Sequence, residues 1–398
     1  MTQSRHEQSE QPGEMATIEL FDAATIDSLP WPATPDGVYA RSYLVPLIRH
    51  GATHFIENAA TTCMVLLIDR RIVLPITLNE REYANSYVCS PYSHYISYAH
   101  EELVMIPQVW MRRALACLIY VFGLLCGACH INRAVHVNNW LLSTNLYPEL
   151  TEGQVTAAVA FLQRRFPRHT IIFRSLNNAC NATLLDIFRR SGSTLVPSRQ
   201  IYLVRPADQE SISAKARWLV KRDLKLIEKE GYSVVQGDEI REDEIPRIVE
   251  LYNALYLEKY SRYNPMFNEH FVRLALRDQI LHLVACKKDD RIDAVLGYFC
   301  RNGVMTTPLF GYDTTLPQEP GLYRMLSALL FSQARENGHL LHESSGAAQF
   351  KRNRGAYVEI EYSAIILQHL PWSRRLCWLA LETCLDKIAA PLLKKYKL

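Results

Sequence analysis

Two periods of apolar and polar residues alternate along this chain. Stripes at three- and four-residue spacing predict helices over residues 38–50, 152–166, 182–190, 211–230 and 242–260, with another near 268–278. A further amphipathic helix opens at Pro320-Gly321 and ends at Gly338. Short β-rich runs predict strands at 63–68 and 72–76, a hairpin around Asp69-Arg70-Arg71, and at 170–175 and 232–236. A second hairpin, 281–287 with 292–300, turns around Lys288-Asp289-Asp290-Arg291. Strands at 304–312, 339–343 and 357–366 follow, and 194–204 reads as a closing strand pair kinked at Pro197. Residues 87–98, YVCSPYSHYISY, read as an aromatic-rich strand region interrupted by Pro91, lining a cleft or packed as an edge hairpin.

The densest signals fall at 339–366: strand, a Ser344-Ser345-Gly346 break, a short basic helix, Gly355-Ala356, strand. The same strand–helix–strand order occurs at 170–204, which suggests an internal duplication of element order. A helix that starts at a Pro-Gly turn offers unpaired N–H groups to an anion such as a pyrophosphate.

A chain of 398 residues predicts two domains, here 17–204 and 205–370. Residues 1–16 read as a disordered tail without the apolar stretch of a signal peptide, and 371–398 as a basic amphipathic helix. That helix either lies on an anionic membrane surface or straps the domains together. The net charge of +3 gives no general polyanion field, so DNA is not an expected partner. The basic face of 215–229 is either solvated or meets a carrier protein or a tRNA. Ten scattered cysteines read as free thiols of a reducing cytoplasm. Residues 114–131 are uncharged and long enough to span a membrane, but the strands before them and the elements after them read as one lobe. A buried or surface-docked helix is therefore expected, with membrane association left open. Cys126-Gly-Ala-Cys129-His130 has the spacing of a c-type haem attachment, yet no export signal or distal ligand accompanies it. Neither haem nor metal is expected, since no second ligand pair stands at zinc spacing.

The order from Lys215 to Ile366 resembles the GNAT acyltransferase superfamily, and more closely its two-lobed branch related to Fem-type aminoacyl transferases. The resemblance is carried by KARWLVKRDLKLIEKEGY, by FGYDTT followed by LPQEPGLYRMLSALLFSQARENG, and by GAAQFKRNRGA. It implies an α/β (α+β) fold of two GNAT-like lobes, with mixed central sheets flanked by helices. It also implies a phosphate loop at Gln318, Gly321, Leu322, Tyr323 and Arg324; beside it, Lys351, Arg352 and Arg354 either neutralise phosphates or form a solvated basic helix. Asn353 would approach a pantetheine arm, and Tyr357 would protonate a leaving thiolate. Pro320 and Tyr323 replace glycines usual in that loop, and Pro320 removes a backbone donor.

Acyl transfer to an amine needs a base, donors for the carbonyl and an acid for the leaving group. Glu343, at the polar end of a strand, is the first candidate base, or else caps the helix that follows. Asp313, beside Tyr312, is the second, or else starts a turn. Tyr323 competes with Tyr357 as acid, and His342 reads as a core histidine. The implied function is an N-acyltransferase using an acyl-CoA or acyl-carrier-protein thioester as co-substrate. Its acceptor would be an amine of a small molecule or cell-envelope precursor. The alternatives are an aminoacyl-tRNA-dependent transferase and a degenerate acyl- or carrier-binding protein.

Overall fold

A computed structural model describes residues 16–208, 210, 212–317 and 321–389. Gln318, Pro320, the residues before 16 and those after 389 lie outside the described residues. The first lobe runs β1 (Ile18–Phe21), α1 (Pro35–His50), β2 (Thr62–Ile68), β3 (Ile72–Asn79), α2 (Tyr98–Glu102), α3 (Val109–Ala128), β4 (Ala134–Val137), α4 (Glu152–Arg165), β5 (Thr170–Leu176), α5 (Asn178–Arg190) and β6 (Thr194–Val204). The second runs α6 (Ala214–Lys229), β7 (Ser233–Gln236), α7 (Ile245–Asn253), α8 (Glu269–Arg277), β8 (His282–Lys288), β9 (Arg291–Arg301), β10 (Val304–Tyr312), α9 (Leu322–Glu336), β11 (Leu340–His342), α10 (Ala348–Asn353) and β12 (Tyr357–Ile366), and α11 (Trp372–Cys384) follows it.

All twelve strands join one mixed sheet in the order β1-β2-β3-β4-β5-β12-β6-β11-β10-β9-β8-β7. The expected duplication is visible in the backbone. Each lobe closes with strand, helix, parallel strand, helix, strand: β4-α4-β5-α5-β6 and β10-α9-β11-α10-β12. In register, Val137 stands beside Phe173, and Thr306 beside His342. The next residues are Arg174 and Glu343, each followed by a serine at positive φ (Ser175, 64°; Ser344, 59°). The two closing strands are exchanged between lobes: β12 pairs with β5, β6 pairs with β11, and the two pair with each other.

Three local expectations are corrected. Residues 87–98 form turns and a π-helical segment, Ser93–Ser97, leading into α2. The Ser90 hydroxyl accepts from the Ser93 N–H (3.1 Å) and Asn132 Oδ1 from the Tyr92 N–H (2.8 Å), so Ser90-Pro91 starts a helix. Residues 194–204 are one strand, and a bulge opposite Glu361 and Tyr362 accommodates Pro197. The expected helix 242–260 is a 3-10 turn, then α7, then a π-helical segment, Ala254–Tyr260.

Where the exchanged strands meet, the Arg199 guanidinium grips Glu361 twice (2.9 and 3.2 Å). It also reaches Ser143 O, Thr144 Oγ1 and Ser344 Oγ at 2.8–3.1 Å. Burial alone would raise the Glu361 carboxyl, but Arg199 and the nearby His342 overrule it and hold it at about 2. Removing one member of a buried pair strands the other charge, so Glu361→Ala should cost about 3–5 kcal/mol at pH 7. A carboxyl depressed from 4.5 stabilises the fold above its unfolded value and loses that contribution as pH falls towards 2. Urea unfolding at pH 7 and pH 3 should show the deficit of the variant shrinking on acidification; an equal deficit at both would contradict this.

Candidate active site

β10 and β11 run side by side only from Val304–Leu340 to Thr306–His342. β10 then continues to Tyr312, while the other chain turns away through Glu343, Ser344, Gly346 (φ 76°) and Ala347 (φ 49°). The parting strands leave a gap, and two helix starts close on it. α9 begins after Gly321, whose φ of 76° suits a residue without a Cβ, and α10 begins after Ala347. Tyr323, on the first turn of α9, packs against Phe310, Tyr312 and Phe350 at ring separations of 5.5, 6.2 and 4.8 Å.

Glu343 sits at this convergence. Its Oε2 is buried and has no hydrogen-bond partner among the described residues. Burial lifts its carboxyl to about 6, against the pull of Lys351 and Arg354. Lys351 is buried too, but its ammonium is turned to backbone carbonyls: Glu343 O at 2.5 Å, Ser345 O at 2.7 Å and Ser344 O at 3.5 Å. Burial lowers its pKa to about 8, the Glu343 charge opposing. The Tyr323 phenol is pushed far up by burial and then by the Glu343 charge, so it remains a protonated donor at neutral pH. Lys259, Tyr256 and Tyr260 stand on the π-helical segment nearby; the Lys259 ammonium donates to the Tyr312 hydroxyl at 3.3 Å. Tyr252, Tyr256 and Tyr260 recur every four residues, and that spacing was the signal available in the sequence for this aromatic ridge.

The other candidates are placed as follows. The Asp313 carboxylate bonds Arg247 (2.6 Å), Arg291 (3.0 Å) and Thr315 (2.6 Å from the hydroxyl, 2.9 Å from the N–H). Burial opposes its ionisation, yet Thr315 and Arg247 hold it at about 2, an ion-paired turn residue. Arg354 is committed to the buried Asp223 of α6 (Nε at 2.9 Å) and lies over the Phe350 ring at 3.4 Å. Asn353 is exposed and accepts from Gln349 (2.8 Å). Leu322 is core, and Arg324 lies so close to Gly321 that a Cβ there would meet its Nε at 2.5 Å. Tyr357 stands opposite Leu203, on the sheet face shared by Ile201 and packed by Cys180. Lys351 lies over Tyr202 on the other face, so Tyr357 is not brought to Glu343.

In the first lobe the equivalent position, at Arg174, lines a small cavity with Tyr87, His94, Tyr95, His136 and Ser363, and the loop after β4 reaches the Arg174 backbone. Trp140 is fully buried there and bonds Asn138 (2.9 Å), Asn139 bonds Thr77 and Val88, and Tyr147 bonds the Arg174 carbonyl (2.6 Å).

No curated protein matches this chain. Among solved structures, it is similar to the C-terminal domain of an Agrobacterium fabrum protein described as a lysylphosphatidylglycerol synthetase, at 15% identity over 59% of this chain and 78% of that one, with a TM-score of 0.45. It is similar to a tandem GNAT protein from the clavulanic acid biosynthesis pathway (10% identity, 89% of this chain, 99% of that one, TM-score 0.38). FemX is a further likeness (8% identity, 55% and 78%, TM-score 0.39). The family model described as an acetyltransferase (GNAT) domain matches residues 214–352, which run from α6 into α10 and hold Tyr323, Glu343 and Lys351. Over residues 214–352 the second lobe matches the GNAT domain, as its sequence resemblance implied.

Proposed function

We propose that the second lobe transfers an acyl group from a thioester to an amine, with Glu343 as the base. The observation that carries this reading is the half-buried Glu343 side chain, whose Oε2 is buried and unpartnered among the described residues, where β10 and β11 part. The amine nitrogen attacks the thioester carbonyl, a C–N bond forms, and Glu343 takes the amine proton. The C–S bond then breaks, the Tyr323 hydroxyl protonates the leaving thiolate, and the proton taken by Glu343 replaces the one Tyr323 gave up. The N–H groups at the start of α9, with Arg324 over Gly321, form a cationic cradle suited to the donor's phosphates. An acyl-CoA or acyl-carrier-protein thioester is the donor, and a small-molecule or envelope-precursor amine the acceptor. All ten cysteines are free, which supports a reducing, cytoplasmic setting.

One observation favours a donor presented on a macromolecule. On α6, exposed Trp218 carries the Arg222 guanidinium over its ring at 5.1 Å, among Lys215, Arg217, Lys221, Lys225 and Lys229. Such a face suits an acidic carrier protein or an aminoacyl-tRNA end. Turnover of an amine panel with acyl-CoA, acyl-carrier protein and aminoacyl-tRNA separates these donors. Donor binding without turnover of any amine would replace the enzyme with a binding protein.

Glu343→Gln should lower kcat/KM by about 10²-fold or more. Because the base acts ionised, wild-type activity should rise with pH and level off above about 6. Full activity in the variant would remove Glu343 from the mechanism.

The same substitution has a thermodynamic signature. A carboxyl raised from 4.5 to about 6 favours folding below the unfolded value, and that advantage is lost as pH rises through the folded one. A neutral amide avoids the loss but removes the charge that supports the Lys351 ammonium, so relative to the wild type Glu343→Gln should be more stable at pH 7.5 than at pH 4, by less than the full shift. Melting curves at both values would show it, and an equal change at both would contradict the buried-carboxylate account.

A further inference from the structure

The two lobes differ most between their third and fourth strands. In the second lobe, β9 passes to β10 through Asn302-Gly303 alone, both at positive φ. In the first, residues 80–133 intervene between β3 and β4, and they carry α3. This helix inverts the rule for a surface helix, which turns polar residues outward. Its outward stripe, at helical spacing, is Trp110, Arg113, Ala114, Cys117, Tyr120, Val121, Leu124 and Ala128, all exposed. Trp110 is 72% exposed, Tyr120 67% and Leu124 59%. The inward side holds Gly123 and Cys126, with Ile119, Phe122 and Leu125 packed on a core shared with Trp378 and Leu381 of α11. A Cβ at Gly123 would meet the Tyr92 hydroxyl at 2.9 Å, so the helix is seated closely.

We propose that α3, with α11 beside it, is a membrane-seating element that lies in the plane of an anionic bilayer. α3 is long and apolar enough to cross a membrane. The packing of its inner side against the protein and the short return from Ala128 to β4 oppose a span and favour an in-plane seat. Charge and composition select a bilayer as the occupant. α3 contains no Asp or Glu, and its charged residues are Arg112 and Arg113, one turn or less from Trp110. On α11, Trp372 is 66% exposed and Leu376 is exposed as well. Lys387 follows, and the sequence continues with Lys394, Lys395 and Lys397. Aromatic rings and cations around an aliphatic ridge match the boundary between acyl chains and anionic headgroups. An unpartnered apolar ridge of this kind otherwise costs solubility.

The test is flotation of the full chain with phosphatidylcholine vesicles, with and without 30 mol% phosphatidylglycerol. Anionic vesicles should bind at least tenfold more tightly. Val121→Asp with Leu124→Asp should reduce that binding at least tenfold, and Arg112→Glu with Arg113→Glu should abolish the preference for anionic lipid. An environment-sensitive dye on Cys117, the exposed thiol of the stripe, should shift to the blue on anionic vesicles without any substitution in the ridge. Glu343→Gln should float like the wild type, which keeps this result independent of the acyl-transfer reading. Failure to float with either vesicle, an unshifted dye, or a dimer in solution that Val121→Asp with Leu124→Asp splits while flotation is unaffected would each overturn the proposal.

Discussion

The exchange of closing strands is the constraint on which the remaining structure depends. A lone second lobe would leave the outer edge of β11 bare, and β11 is only Leu340–His342. β6 of the first lobe covers that edge, while β12 of the second is inserted between β5 and β6. The gap beside Glu343 exists because β11 stops early while β10 goes on. A strand that short is held by its neighbours more than by its own pairing. The first lobe therefore builds the wall against which the second lobe opens, and Arg199 and Glu361 lock the joint.

Much of this architecture was legible as period. The helices α4, α6 and α9 follow apolar spacing because each buries one face against the sheet, while the hairpins β2–β3 and β8–β9 and the strand β10, buried on both faces over most of their length, read as apolar runs. The suspected duplication was legible as element order, and the paired Arg174-Ser175 and Glu343-Ser344 turns give it a residue-level form. Residues 87–98 misread because their aromatic alternation imitates a strand, while the deciding contact comes from Asn132, forty residues on. Pro197 misread for a similar reason: whether a proline breaks a strand or sits in a bulge depends on the partner strand.

The site was legible by residue type and not by side. Glu343 and Asp313 both end apolar strands, and from the sequence they differ little as bases. The fold separates them through remote partners: Arg247 and Arg291 neutralise Asp313, whereas Lys351 spends its ammonium on carbonyls and leaves Glu343 without a hydrogen bond on Oε2. Tyr357 and Tyr323 were equally plausible acids until strand pairing put Tyr357 on the face of Leu203. A pairing register has period two, so one step decides which face a side chain serves.

Three charged positions show how the duplicated lobes diverged. Glu361 lies against a guanidinium and stays ionised, a structural charge. Glu343 lacks such a partner, and its carboxyl is poised near neutrality, where a base can both take and release a proton. Arg174 occupies the first-lobe position equivalent to Glu343, where its guanidinium bonds the Val88 carbonyl and lines a small cavity with His94 and His136. The long insertion between β3 and β4 sits in that lobe, while the second lobe retains a turn of Asn302-Gly303. Two copies of one backbone plan thus differ in the side chain that follows the short strand, a carboxylate in one and a guanidinium in the other.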